Sequence, residues 1–426
     1  MQLPEIFRHR DFVRLLTARA LSSLSMGMLS VAIGWQVYEV ARQTMSVPQA
    51  AFMVGMIGLV QFVPILLLAL PAGQIVDRHS RKVILATCVL LELLTALALL
   101  GITFLPQGRQ LELIFLIAAF FGVIRAFYPA SSSAILPMLV PRSELPTAIA
   151  WMTTAYQVGT IGGPAIVGFL IALSIGAVYA ISAGFLAIGA LSAWLIATDT
   201  RPKAAAQRGF AAALEGLKFV YSNKVIFGAV MLDLVIVLLA GATALLPAFA
   251  RDILKTGPMG LGLLRAAPAI GGLAASIYLT RKPLTRHLGR WMLSAVIVFG
   301  VGTVAFGLSR NLALSCLCLA ITGAADNISV FVRHNLVQIL TPDAMRGRVG
   351  SVNMLFISAS NELGEFESGV AARFLAPVGA VLFGGIGSIF IGLVWGKLFP
   401  KLRDTDTLEF AEPESPAIAL DNEAKL

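Results

Sequence analysis

The chain is 426 residues long, 58% hydrophobic and only 13% charged, where a soluble globular domain carries roughly a quarter charged residues. A formal net charge of +9, from 32 Lys and Arg against 23 Asp and Glu, would suit a nucleic-acid surface only if the cations clustered. Instead about 22 of them fall on one alternating set of loops and termini and about six on the other, the bias that marks a polytopic membrane protein with both termini in the cytoplasm.

Apolar segments of about 20 residues, each long enough to cross a bilayer, are predicted in chain order at 14–38, 48–72, 82–104, 111–138, 147–173 and 176–198. The polar, basic stretch MQLPEIFRHRDFVR is not expected to be a cleavable signal, because the apolar run behind it continues too far. A hydrophilic break at 199–224 follows, in which Phe210, Leu214, Leu217 and Tyr221 recur at helical spacing beside Arg208, Glu215 and Lys218. That pattern predicts an amphipathic helix lying on the membrane surface or a solvated linker helix. Six further spans are predicted at 225–249, 259–281, 291–309, 312–338, 348–371 and 377–399, and residues 401–426 read as a disordered tail. The fold class is therefore an all-α membrane protein of twelve transmembrane helices. Its units are an N-terminal six-helix bundle at 1–198, a linker at 199–224, a C-terminal bundle at 225–400 and the tail.

Short matches relate the two halves. DRHSRKVIL at 77–85 pairs with TRHLGRWML at 285–293, and GVIR at 122–125 with GAAD at 323–326, in the same order. Two parallel six-helix pseudo-repeats are transporter architecture. Cys88, Cys316 and Cys318 lie in apolar runs and imply no disulfide framework; the four histidines have no metal-ligand spacing. No phosphate loop, nucleophile elbow or zinc-protease motif occurs, so the chain reads as neither an ATPase nor an enzyme and implies no cofactor and no metal.

The charged knot GQIVDRHSRKVIL, Gly73 to Leu85, stands between two apolar runs. It resembles the signature of the major facilitator superfamily between helices two and three: Gly73, Asp77, Arg78, Arg81 and Lys82 match, and Ser80 replaces the usual second glycine. FRHRDFVRLLTARALSSL, RAFYPASSSAILPMLV and TPDAMRGRVGSVNMLFISASNELGEFESG are similar to the enterobactin-exporter and multidrug-efflux branch. The resemblance implies a monomeric secondary transporter in the bacterial inner membrane that exports a small amphipathic compound, siderophore or drug-like, by proton antiport. A proton-coupled importer, a lipid flippase, or a transport-inactive sensor or scaffold of the same fold are the alternatives. No nucleic acid partner is implied.

Proton coupling needs a titratable group at membrane depth, where charge is costly. The candidates are Glu362, Asp326, Glu92 and Asp233, with Arg125 as electrostatic partner; for each acid the competing reading is a permanent ion pair. Arg19 is expected to snorkel from the first helix with little function. QVGTIGGPAIVGFL and GLGLLRAAPAIGG supply Gly159, Gly163, Pro164, Gly168, Pro268, Gly271 and Gly272 as an expected periplasmic seal between helices five and eight; generic packing is the even alternative. Trp35, Gln36, Tyr128, Ser131, Ser132, Met231 and Asn327 are expected, by analogy with the fold, to line the substrate cavity. The knot itself is expected to act as a cytoplasmic gate, Asp77 accepting amides from the start of helix eleven.

Overall fold

A computed structural model describes residues 5–201, 210–282, 284–342 and 345–406. The described residues are helical, with no strand among them. The first six spans are α1 (Arg10–Ala41), α2 (Val47–Arg78), α3 (Arg81–Ile102), α4 (Gln107–Ile135), α5 (Leu145–Leu173) and α6 (Ile175–Trp194). A short helix, α7 (Phe210–Ser222), occupies the break. The remainder are α8 (Lys224–Ile253), α9 (Gly257–Arg281), α10 (Leu288–Leu308), α11 (Leu312–Leu340), α12 (346–375) and α13 (377–398). Among the described residues eleven helices are long and apolar enough to cross a membrane. The last of these is two helices run together across Ala376, whose φ of 59° breaks the screw just ahead of Pro377. Proline lacks the amide an interior turn would need, so it opens the final helix. Divided there, the layout is compatible with the expected twelve spans.

Local chemistry sets several starts. Ser46 and Gln49 form a capping box, the Ser46 amide donating to Gln49 Oε1 at 3.0 Å, with Pro48 in the first turn of α2. Asn223 Oδ1 accepts the amides of Val225 and Ile226 at 3.1 and 3.2 Å to open α8. The span α8 is regular only to Leu239. It passes through Ala240 and Gly241, then short 3-10, α and π turns to Ile253. Irregular backbone of this kind persists at membrane depth only inside protein or beside a water-filled space; Gly241 is packed on the Gly364 carbonyl of α12.

The helices pack as two groups. In the first, α1 lies against α5 and α6, α2 against α4, and α3 against α4 and α6; in the second, α11 lies against α9 and α10. Large apolar side chains such as Leu67, Leu116, Leu173, Phe374 and Phe390 are exposed on the outside, as a lipid-facing surface requires. Both ends of the described chain lie at one end of the bundle. Asp11 accepts from the backbone amides of Ala197 and Thr198, and Asp406 accepts from the amide of His287 at 2.9 Å. We call this the terminal end and its opposite the far end.

The two groups touch along α2–α12 and α5–α9, and they do so at the far end. A Cβ on Gly55 would fall 2.6 Å from the Cα of Gly369, and one on Gly168 2.6 Å from the Cα of Gly262. Toward the terminal end α2 and α12 part: a Cβ on Gly73 or Gly350 would meet nothing within 4 Å. Among the described residues the two groups close on each other at the far end, and α2 and α12 show no such glycine approach toward the terminal end.

Two expectations need correction or completion. The gap left between the spans predicted at 48–72 and 82–104 is mostly helical, because α2 continues to Arg78 and α3 starts at Arg81, leaving a turn of only His79 and Ser80. The linker helix is present as α7, with Leu214, Leu217 and Tyr221 exposed. Residues 202–209, which include Arg208, and the tail from 407 lie outside the described residues, as does the side chain of Phe210.

Candidate functional site

The acids and bases expected at membrane depth fall into three clusters, of which one bridges the halves. Arg125 of α4 donates from Nη1 to Glu362 Oε1 of α12 at 2.5 Å and to Gln61 Oε1 of α2 at 2.8 Å. Arg125 is the nineteenth residue of α4 and Glu362 the seventeenth of α12, so the pair sits near mid-span. Close backbone approach makes it possible: Gly58 of α2 lies on the Glu362 carbonyl and Gly122 of α4 on that of Gln61. Glu362 is 6% exposed. One turn on, Glu365 has Arg265 of α9 as an electrostatic neighbour. Arg265 was not among the expected cations, although a lone arginine in an apolar helix is a signal that a sequence shows.

The second cluster belongs to the C-terminal group alone. Arg333 of α11 contacts Asp233 of α8 at 3.2 Å and donates to Asn353 of α12 at 3.1 Å. Asp326 is accessible and, with Asp233 and Ser329, lines a void of about 10 Å³, room for about one water. The third is internal to the N-terminal group: Glu92 of α3 is fully buried and accepts from Ser22 of α1 at 2.6 Å, its other oxygen unpartnered among the described residues. Of the expected coupling residues, therefore, the structure joins only Glu362 and Arg125 across the two halves.

The expected seal is mostly something else. Gly159 and Gly163 pack on Ser23, Leu24 and Gly27 of α1, and Pro164 also lies on Gly27, all inside the N-terminal group. Pro268 and Gly271 pack on Gly323 and Ala320 of α11, with Gly272 beside Gly323 and Asn327, all inside the C-terminal group. A missing side chain allows close approach but does not choose the neighbour. Only Gly168 crosses, and it meets Gly262.

Sequence reasoning missed a polar latch at the same end. Asp252 of α8 accepts from the Tyr38 hydroxyl at 2.6 Å and from Arg42 Nε and Nη2 at 3.2 and 3.1 Å, both on or just past α1. Beside it Arg251 pairs with Glu39 at 3.2 Å. Two ion pairs of opposite sense thus bridge the halves, and the adjacent Arg251-Asp252 dipeptide at a span end was the available signal.

The expected cavity residues also divide. Ser132 lines an open cavity of about 330 Å³ between α1, α4 and α5, and Tyr128 lies at its back. Gln36 does not line it: it is 5% exposed and satisfied by Tyr179 at 2.6 Å and Gln110 at 3.3 Å, inside the N-terminal group. A buried amide needs such partners. Trp35 is 6% exposed, and Ser131 bonds back to the Tyr128 carbonyl. Met231 packs against the cluster of Val220, Val337 and Val349, and Asn327 accepts from Ser276 of α9 at 3.1 Å. The surprise is Arg19. Because α1 begins at Arg10, Arg19 stands more than two turns inside, and it points inward rather than snorkelling, donating to Ser132 Oγ at 2.8 Å.

The charged knot faces its own half in this state. Ser80 and the Lys82 amide bond to Thr200 Oγ1 at 3.1 and 2.9 Å, and Arg81 donates to the Met138 sulfur. Arg348, at the start of α12, is held by Glu215 of α7 at 2.5 Å.

The family described as transmembrane secretion effector matches residues 5–423. The chain is 24% identical over 403 residues to the enterobactin exporter EntS of Citrobacter koseri, with 93% of each chain covered. Among solved structures it is similar to a POT family transporter in complex with 5-aminolevulinic acid (TM-score 0.72, 12% identity, 92% and 96% covered). It is also similar to a bacterial homologue of the iron transporter ferroportin in its inward-facing state (TM-score 0.66, 16% identity, 92% and 98% covered). These likenesses carry the all-helical transporter fold, and the relatives are transporters rather than enzymes.

Proposed function

The chain belongs to the transmembrane secretion effector family of the major facilitator superfamily, and from that premise we propose that it exports a small amphipathic, siderophore-like compound in exchange for protons. The terminal end is then cytoplasmic, with both termini in the cytoplasm, the bilayer is the bacterial inner membrane, and the protein works as a monomer. Residues 1–198 and 225–400 rock against each other about a mid-span site. The far-end closure described above is the inward-facing half of that cycle.

The observation that carries the reading is the Arg125–Glu362 pair. It is the one direct ion pair near mid-span that joins the halves among the described residues, and it sits where α2, α4 and α12 meet. Paired, Glu362 is an anion and ties α12 to α4. Protonated, it no longer attracts the guanidinium, and Arg125 is left to Gln61 and to an arriving substrate. Exchange of a proton for substrate at this junction would couple the gradient to the relative motion of the halves. Asp233 and Asp326 form a second proton-accessible group, while Glu92 is placed to support α1 and α3.

The test is Glu362→Gln in liposomes holding a catechol- or hydroxamate-type siderophore, with and without an imposed pH gradient. Gradient-driven movement should fall to background, while exchange of labelled against unlabelled substrate continues. Wild-type coupling in that variant would remove the pair from the mechanism.

A further inference from the structure

Four arginines of the described residues reach well into the spans, and three of them have an acid. Arg125 has Glu362, Arg333 has Asp233, and Arg265 has Glu365 as electrostatic neighbour. Arg19 makes no ion pair among the described residues. Its only hydrogen bond there is to the neutral Ser132, and its Nε is buried without a partner. A guanidinium carries five donors in a fixed plane, and an uncompensated charge at membrane depth is costly enough to mark function.

The surroundings indicate what would complete it. The guanidinium carbon lies 5.1 Å from the ring centre of Tyr156 and 5.8 Å from that of Tyr128. Tyr128 is itself only 5% exposed. In front lies the cavity of about 330 Å³, with Ser132, Ser133 and Thr153 as its polar wall and Leu136, Ile149 and Met152 among its apolar wall. Tyr156 and Ile149 are about half exposed, 46% and 51%, so the cavity has an open mouth. The volume lies within the range of small-molecule sites, about 300–1,000 Å³. A planar fork pairs best with two oxygens of one anion. Flanking rings and an aliphatic wall favour a flat apolar body attached to that anion.

We propose that this pocket binds the anionic end of the exported compound, and that the substrate class is a flat, apolar or aromatic molecule bearing a carboxylate or comparable oxyanion, recognised by Arg19. The proposal rests on the export reading and names its substrate class. Arg19 is a binding residue here: it offers donors to the anion, Ser132 fixes one of its nitrogens, and Tyr156 stacks on the body of the ligand.

The experiment is equilibrium binding to the full-length protein in nanodiscs, with no gradient applied, using 2-naphthoate and its neutral isostere 2-naphthamide as probes. Wild type should bind the carboxylate about tenfold tighter or more, the worth of one charge-assisted contact of about 1.4 kcal/mol. Arg19→Gln should erase that preference, weakening the carboxylate far more than the amide, and Arg19→Lys should restore part of it. Tyr156→Leu should weaken both probes, and it serves as the second variant should Arg19→Gln fail to fold, as judged by its thermal unfolding midpoint. Equal affinity of wild type for the two probes overturns the proposal, as does a preference that survives Arg19→Gln. Because no proton gradient enters, a failure here leaves the Glu362 coupling test untouched, and a failure there leaves this binding intact.

Discussion

Replacing Asp252 with Asn should loosen the far end of the molecule by a measurable factor. Asp252 accepts one hydrogen bond from Tyr38 and two from Arg42 across the interface of the two halves. A charge-assisted hydrogen bond contributes about 1.5–3 kcal/mol when shielded, and an exposed ion pair about 0–1 kcal/mol. The Arg42 and Asp252 side chains are 23% and 22% exposed, so the latch lies between these limits, at roughly 1–2 kcal/mol. Asparagine keeps the shape and one acceptor but loses the charge, so the far-end-open population should rise about 5–30-fold. The assay is the labelling rate of a single cysteine at Ala51, fully buried one turn before Gly55 on the same helix face, with an impermeant maleimide on a background lacking the native cysteines. If opening precedes labelling, the rate rises by that same factor. Tyr38→Phe, which removes one neutral donor, should raise it only about threefold. An unchanged rate in Asp252→Asn would mean that the glycine contacts alone close this end and that the latch reasoning is wrong.

Gly168→Leu and Gly163→Leu should fail in different ways. A side chain at Gly168 meets Gly262 across the halves and should raise the same cysteine labelling at little cost in thermal stability. One at Gly163 meets Leu24 and Gly27 within one half and should lower the unfolding midpoint through overpacking worth about 1–3 kcal/mol. Identical behaviour of the two in both assays would refute the division between packing and sealing glycines. Asp77→Asn should leave the unfolding midpoint of the terminal-open form unchanged, impair transport, and increase labelling of a cavity cysteine from the terminal side; normal transport with unchanged labelling would reduce the charged knot to an orientation signal.

Span positions were legible because lipid offers the backbone no partners: each crossing must satisfy its own amides, so an apolar run of the right length has one outcome. The helix bounds accordingly follow the hydropathy closely, from Gln107–Ile135 to Leu312–Leu340. Glu362 and Arg125 were legible one at a time, as costly charges, but their pairing was not. They are 237 positions apart, and nothing local links them. Arg19 was misread through a small error of the same kind: a helix start four residues early turns a snorkelling cation into an inward one. Gln36 shows the converse limit, since an amide beside a tryptophan suits a cavity wall as well as it suits Tyr179 and Gln110. Tyr38, Arg42 and Asp252 lay at or beyond the expected helix ends, where charge reads as solvent exposure until a second helix end is brought against it.

The two ends of the molecule are governed by different physics, and the difference bears on how it switches. At the far end Gly55 meets Gly369 and Gly168 meets Gly262, contacts of backbone on backbone that vanish within about an ångström of separation. The Arg42–Asp252 and Glu39–Arg251 pairs act over several ångströms and weaken gradually. Opening is then steep at first and resisted afterwards, which suits a two-state movement rather than continuous breathing. At the terminal end Gly73 of α2 and Gly350 of α12 make no such contact, and the start of α12 is already occupied, Arg348 by Glu215 of α7. Those side chains are 43% and 57% exposed, so that tie is worth about 1 kcal/mol or less. Exchanging it for a contact with Asp77 would cost little. A transporter must visit both states in each cycle, so neither end can be held by much more than the other. A latch of roughly 1–2 kcal/mol at the far end, set against a weak and exchangeable tie at the terminal end, keeps that balance within reach of the proton exchange and anion binding proposed above.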